Sequence, residues 1–126
     1  MEEKKLSDCE SLIMKVIWDA EEDISIPELT ERLRVQFDKD YKRPTVVTFL
    51  LRLSDKGYVK TYRKGKLSYA HAERTEEEFK QKLAKKEIDF WFEGRAAGFL
   101  EVLTTVQKLT KKDMEEIRAI LDDLVD

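Results

Sequence analysis

Residues 43–56 read RPTVVTFLLRLSDK. Pro44 suits the first turn of a helix, where its missing N–H has no helical partner anyway and its φ is preset. Gly57 follows the stretch, where a helix end favours a residue that tolerates positive φ. At about 100° per residue, Val46, Phe49, Leu50 and Leu53 fall on one arc and predict a core face. Thr45, Thr48, Arg52 and Asp55 fall on another. Threonine offers a hydroxyl and a methyl, and arginine a charged fork. Such groups read base edges or grip phosphates in a major groove. Many ordinary amphipathic helices carry a solvated face of this kind, so the flanking segments must discriminate.

Upstream, Ser7-Asp8-Cys9-Glu10 has capping-box form and predicts a helix to about Ala20. Leu12, Ile13, Val16 and Ile17 make its expected buried stripe, with Cys9 as a small core-facing residue one turn earlier. Trp18 would cover the core edge, and 19–23 reads as an acidic loop. Ser25-Ile26-Pro27-Glu28 is a second capping box, opening a helix over about 26–36 that buries Ile26, Leu29, Leu33 and Phe37. Three short helices with short connections predict a helix-turn-helix unit whose third helix enters the groove.

Downstream of Gly57 the period changes from 3.6 to 2. Residues 58–63 and 67–72 read as two strands, with Lys64-Gly65-Lys66 as the turn. Three helices and then a hairpin is the order of a winged helix. Arg63, Lys64 and Lys66 at the wing tip, together with Lys60, would lie beside a phosphate strand. His71 is the only histidine and is assigned no chemistry.

The net charge of −3 conceals an asymmetry. Residues 1–40 carry 6 Lys/Arg against 12 Asp/Glu. Residues 41–72 carry 8 Lys/Arg against Asp55 alone, a block of +7 centred on the helix and the wing. A basic block in an acidic chain is an electrostatic footprint for nucleic acid. No run of about 18 apolar residues predicts a membrane helix, and MEEKKLSDCE lacks the apolar core of a signal peptide. A cytoplasmic protein is expected. Cys9 is the only cysteine, so neither an intrachain disulfide nor a cysteine-cluster metal site is expected. No nucleophile–base constellation and no glycine-rich phosphate loop suggests catalysis or a cofactor.

Residues 74–126 read as three more helices. Thr75-Glu76-Glu77-Glu78 starts one that runs to about Phe92, Gly94 interrupts, and 96–106 is apolar on several sides. A last helix restarts at Thr110, with Met114, Ile117, Leu121 and Leu124 at 3-4-3 spacing. Phe99, Leu100 and Leu103 form a second stripe. A monomer has too little partner surface for both stripes, which predicts a homodimer. The expected organisation is mainly α with a small β-hairpin: a winged helix over 1–73 and a helical dimerisation domain over 74–126.

The chain resembles transcriptional repressors of the penicillinase-repressor (BlaI/MecI/CopY) type. The resemblance lies in Leu6-Ser7-Asp8, Glu10 and Met14-Lys15-Val16-Ile17-Trp18, in Thr45-Val46, Thr48, Leu50-Leu51-Arg52-Leu53 and Lys56-Gly57, and in the wing ending at Tyr69. It implies a homodimer that represses by binding a palindromic operator, with Thr45 and Thr48 touching DNA. The family lysine before the first threonine is Pro44 here. Penicillinase repressors of this type are cleaved at an Asn-Phe bond. This chain has no asparagine, and the matching bond lies near Val102-Leu103. The copper-responsive members carry Cys-x-Cys pairs near the C-terminus, where this chain reads DDLVD. The family's inducing signals therefore do not carry over, and a protease or another inducing partner stays open. The DNA-contacting set expected is Arg43, Thr45, Thr48, Arg52, Lys60, Arg63, Lys64 and Lys66. A winged helix serving as a protein–protein adaptor is the alternative; the basic block favours DNA. A small-ligand sensor with a pocket among the tail aromatics is a third.

Overall fold

A computed structural model describes residues 5–125. In chain order they form α1 (Asp8–Asp19), β1 (Ile24–Ser25), α2 (Ile26–Phe37), α3 (Arg43–Asp55), β2 (Val59–Lys64), β3 (Leu67–Ala72), α4 (Glu76–Phe92), α5 (Ala96–Val106) and α6 (Lys111–Leu124). The chain divides into two compact units, the first ending at Lys80 and the second beginning at Gln81.

The first unit has one core. Ile13, Met14 and Val16 of α1, Leu29 and Leu33 of α2, and Val46, Leu50 and Leu53 of α3 are its centre. Each large side chain of this kind stabilises the fold by roughly 1.5–3 kcal/mol when fully buried. The stripe on α1 differs from the expected one: Met14 is buried and Leu12 only partly. Cys9 is half-buried rather than core-facing, and its Sγ lies 3.0 Å from Tyr41 Oη.

Local chemistry sets the helix starts. Ser7 and Glu10 form the reciprocal capping box of α1, and Thr110 and Asp113 form that of α6. Ser25 caps α2 by accepting from the Glu28 N–H. Glu10 is also fully buried. Its Oε1 accepts from the Ser7 N–H at 2.8 Å and from Lys56 Nζ at 2.6 Å, which ties α1 to the end of α3. Burial pushes this carboxyl up, but the hydrogen bonds from Lys56 and Ser7 outweigh it and hold it below the usual glutamate range.

The hairpin is part of a larger sheet than expected. Ile24 pairs with Ala70 and Ser25 with Tyr69, giving a three-stranded antiparallel sheet of order β1-β3-β2. Two residues are too few to show an alternating pattern, so β1 has no sequence signature. It covers the free edge of β3 and buries Ile24. The hairpin turn is Gly65-Lys66, since Lys64 pairs with Leu67. Gly65 has φ +64°, as a two-residue turn with glycine first requires.

The first turn of α4 belongs to this unit. Phe79 packs 5.4 Å from the Trp18 ring and 6.1 Å from the Tyr58 ring, centroid to centroid. The Trp18 indole N–H donates to Arg74 O at 2.8 Å.

In the second unit, Gly94 takes φ +76° between α4 and α5. Phe92 meets Phe99 edge-on at 5.8 Å. No described residue of α4, α5 or α6 is buried. Phe99, Leu100, Met114, Leu121 and Leu124 are exposed, and Leu103 and Ile117 are half-buried.

Candidate nucleic-acid interface

Helix α3 turns Val46, Leu50 and Leu53 inward and leaves Arg43, Thr45, Thr48, Arg52 and Asp55 in solvent. Phe49 is half-buried, with its ring against Tyr41 at 5.6 Å and the Arg52 guanidinium 5.8 Å from its centroid. The Thr48 hydroxyl donates to Pro44 O at 3.0 Å. Its proton is thus engaged, leaving a methyl and acceptor lone pairs to the outside. Lys42 at the N-cap makes no side-chain cap bond, so the positive end of the helix adds to the charge of Arg43.

Pairing in the wing divides its side chains between two faces. Val59, Thr61 and Arg63 lie opposite Ala72, Ala70 and Ser68. Lys60, Tyr62 and Lys64 lie opposite His71, Tyr69 and Leu67. Because successive residues alternate, Arg63 and Lys60, expected to act together, point to opposite faces. Thr61 and Arg63 line a groove against α3 that also includes Val47 and Leu51. On the other face Tyr62 and Tyr69 stack at 5.6 Å. Arg63 Nε donates back to Gly65 O, and Lys64 and Lys66 stand exposed at the tip.

Three residues that the sequence left without a role anchor the wing. The Tyr62 hydroxyl donates to Asp23 Oδ2, and His71 Nδ1 lies 2.7 Å from Asp23 Oδ1. The Tyr62 and His71 hydrogen bonds hold the Asp23 carboxyl below its usual range, and the same contact raises Tyr62. Asp23 precedes β1, so the acidic loop grips the outer face of the hairpin. The residues lie 39 and 48 positions apart, and no local spacing announces them.

The charges separate clearly. Arg32 pairs with Glu28, Arg34 with Glu31 and Lys56 with Glu10. Lys15 pairs with Asp19 and Glu76. Among the described residues, Arg43, Arg52, Lys60, Arg63, Lys64 and Lys66 have no carboxylate partner. Lys56 belongs to the basic block by sequence, but the structure directs it inward.

Three helices, a wing and this uncompensated basic surface define a winged-helix DNA-binding regulator. The chain belongs to the penicillinase repressor family, whose sequence model matches residues 6–123. That family comprises non-enzymatic transcriptional repressors with a DNA-binding winged helix. A penicillinase repressor of Staphylococcus aureus is 25% identical over 112 residues, covering 89% of this chain and 86% of that protein. The solution structure of the DNA-binding domain of the repressor BlaI matches with 28% identity and a TM-score of 0.51, covering 60% of this chain and 88% of that one. A complex of hsRosR, 16% identical with a TM-score of 0.54 over 95% of this chain and 90% of that one, shares the fold alone. Among the described residues no helix is long and apolar enough to cross a membrane.

Proposed function

We propose that this chain is a cytoplasmic, homodimeric repressor of a palindromic operator. Helix α3 enters the major groove with Thr45 and Thr48 toward base edges. Arg43 and Arg52 hold the phosphates beside it. The wing lays Arg63, Lys64 and Lys66 along the adjacent backbone, and Lys60 adds charge from the outer face. Of residues 74–126, those beyond the first turn of α4 are the dimerisation domain, through Phe99, Leu100, Leu103, Met114, Ile117, Leu121 and Leu124.

The observation that carries this reading is the partition of charge. Lys15, Arg32, Arg34 and Lys56 of the first unit each sit against a carboxylate, while Arg43, Arg52, Lys60, Arg63, Lys64 and Lys66 have none among the described residues. Free lysines and arginines clustered on one surface repel one another, and a polyanion relieves that repulsion. The BlaI domain is described as DNA-binding, and the likeness extends that expectation to this surface. About six phosphate contacts per subunit give a log–log slope of binding against salt on the order of −5 per half-site. Titration of the full chain into duplex DNA between low and physiological salt measures it. A flat response would exclude this surface as the binding face.

A further inference from the structure

The outward face of α3 is unusual for a helix among phosphates. From Pro44 to Leu51 it carries no charged residue. Two large apolar side chains stand in solvent there one turn apart, Val47 and Leu51, the latter 59% exposed. At about 100° per residue both lie to one side of Thr48, the side toward the wing. They border the groove that Thr61 and Arg63 close from the other side. A single exposed apolar residue is ordinary. Here two sit together beside Arg63, on a helix that also exposes Arg43 and Arg52.

We propose that Val47 and Leu51, with the Thr48 methyl beside them, read thymine methyl groups in the major groove of the operator. This rests on the DNA-binding reading above. Four features of the surface favour it. The surrounding cations select a polyanion over an apolar protein partner. In the major groove, thymine presents an apolar group, its C5-methyl. Guanine is read by a bidentate arginine or lysine, and residues 44–51 supply neither. The Thr48 proton is held by Pro44 O, so Thr48 offers a methyl and an acceptor rather than a donor. The operator half-site should therefore place thymines under the middle of α3, with any guanine contacts toward Arg43 or Arg52 at its ends.

Selection of the full-length protein on a randomised duplex pool yields its preferred site. Each thymine of that site is then replaced by deoxyuridine, which removes the methyl and keeps every hydrogen-bonding group. One or two positions per half-site should each lose about fourfold in affinity, the effect of one methyl-sized apolar group. In Val47→Ala and Leu51→Ala proteins, at least one of those losses should shrink toward onefold. Their affinity for random DNA and their salt slope should match the parent. Indifference of the parent to deoxyuridine, or variants as sensitive as the parent, would overturn the assignment of these two residues and leave DNA binding standing. A selected site without thymine in its half-sites would overturn it as well. Failure to retain any duplex at low salt would overturn the DNA-binding reading itself.

Discussion

Glu10 and Thr48 differ in how much of their role was local. The capping role of Glu10 was legible because it depends on a serine three residues away. Its burial was not, because it depends on Lys56, 46 positions along. A buried carboxylate with a charge-assisted hydrogen bond adds stability that depends on its ionisation. The folded-state value is depressed, so this contribution is fully present above the unfolded pKa and disappears as pH falls through the folded one. Glu10→Gln should therefore lower stability by about 2 kcal/mol at neutral pH. The gap between parent and variant in urea unfolding should close as pH falls through the carboxylate range; a gap constant with pH would contradict the ion pair's role. Periodicity alone places Thr48 on the polar arc, and it is exposed. The exposure of the neighbouring Val47 and Leu51 is not legible in the sequence, since an apolar residue reads as core and only the packed helix reveals which ones face out. Thr48→Ala should weaken operator binding by about 1 kcal/mol while changing random-duplex binding little, as befits a base contact. Lys64→Ala should weaken both alike and reduce the salt slope by about one. Comparative gel shifts on the selected site and on random duplex separate the two, and a specificity loss confined to the Lys64 variant would reverse the roles.

Among the elements, the helices were legible because caps and apolar periods are written within a few residues. Strand β1 was not legible, since it exists only through pairing with β3. The anchoring of the wing by Asp23, Tyr62 and His71 was hidden for the same reason: three polar residues on separate segments meet only in the folded chain. The first turn of α4 is a further case. Its sequence groups it with the helices that follow, while Phe79 packs between Trp18 and Tyr58 of the first unit. A full aromatic truncation in a core costs about 3–5 kcal/mol, and a partly exposed ring less. Phe79→Ala should then destabilise the first unit by about 2 kcal/mol. Phe92→Ala, whose ring contact is with Phe99, should leave that unit unchanged. Urea unfolding followed by exchange protection of α1 and α3 amides measures this, and equal effects from the two variants would refute the assignment of Phe79.

At the scale of the whole molecule, sequence composition exposed a surplus that one chain does not absorb. Leu121 is 53% exposed, and the stripes Met114–Ile117–Leu121–Leu124 and Phe99–Leu100–Leu103 hold no buried residue. What covers them was not legible beyond that, because an interface between copies leaves no mark on the spacing within one. If a second copy covers them, each large side chain gains roughly 1.5–3 kcal/mol on burial. The pairing then fixes the separation of two reading heads, which should suit half-sites about one helical turn, roughly 34 Å, apart. One head makes too few contacts to hold an operator against the excess of competing sites in a genome. Leu121→Asp puts a charge into the seam, where burial without a partner is strongly unfavourable. The variant should sediment as a monomer and lose tight binding to the full operator. It should keep the helical circular-dichroism signal of the first unit and the weak binding of a single half-site. A variant that remains dimeric, or a monomer that still holds the full operator tightly, would show that dimerisation resides outside α5 and α6.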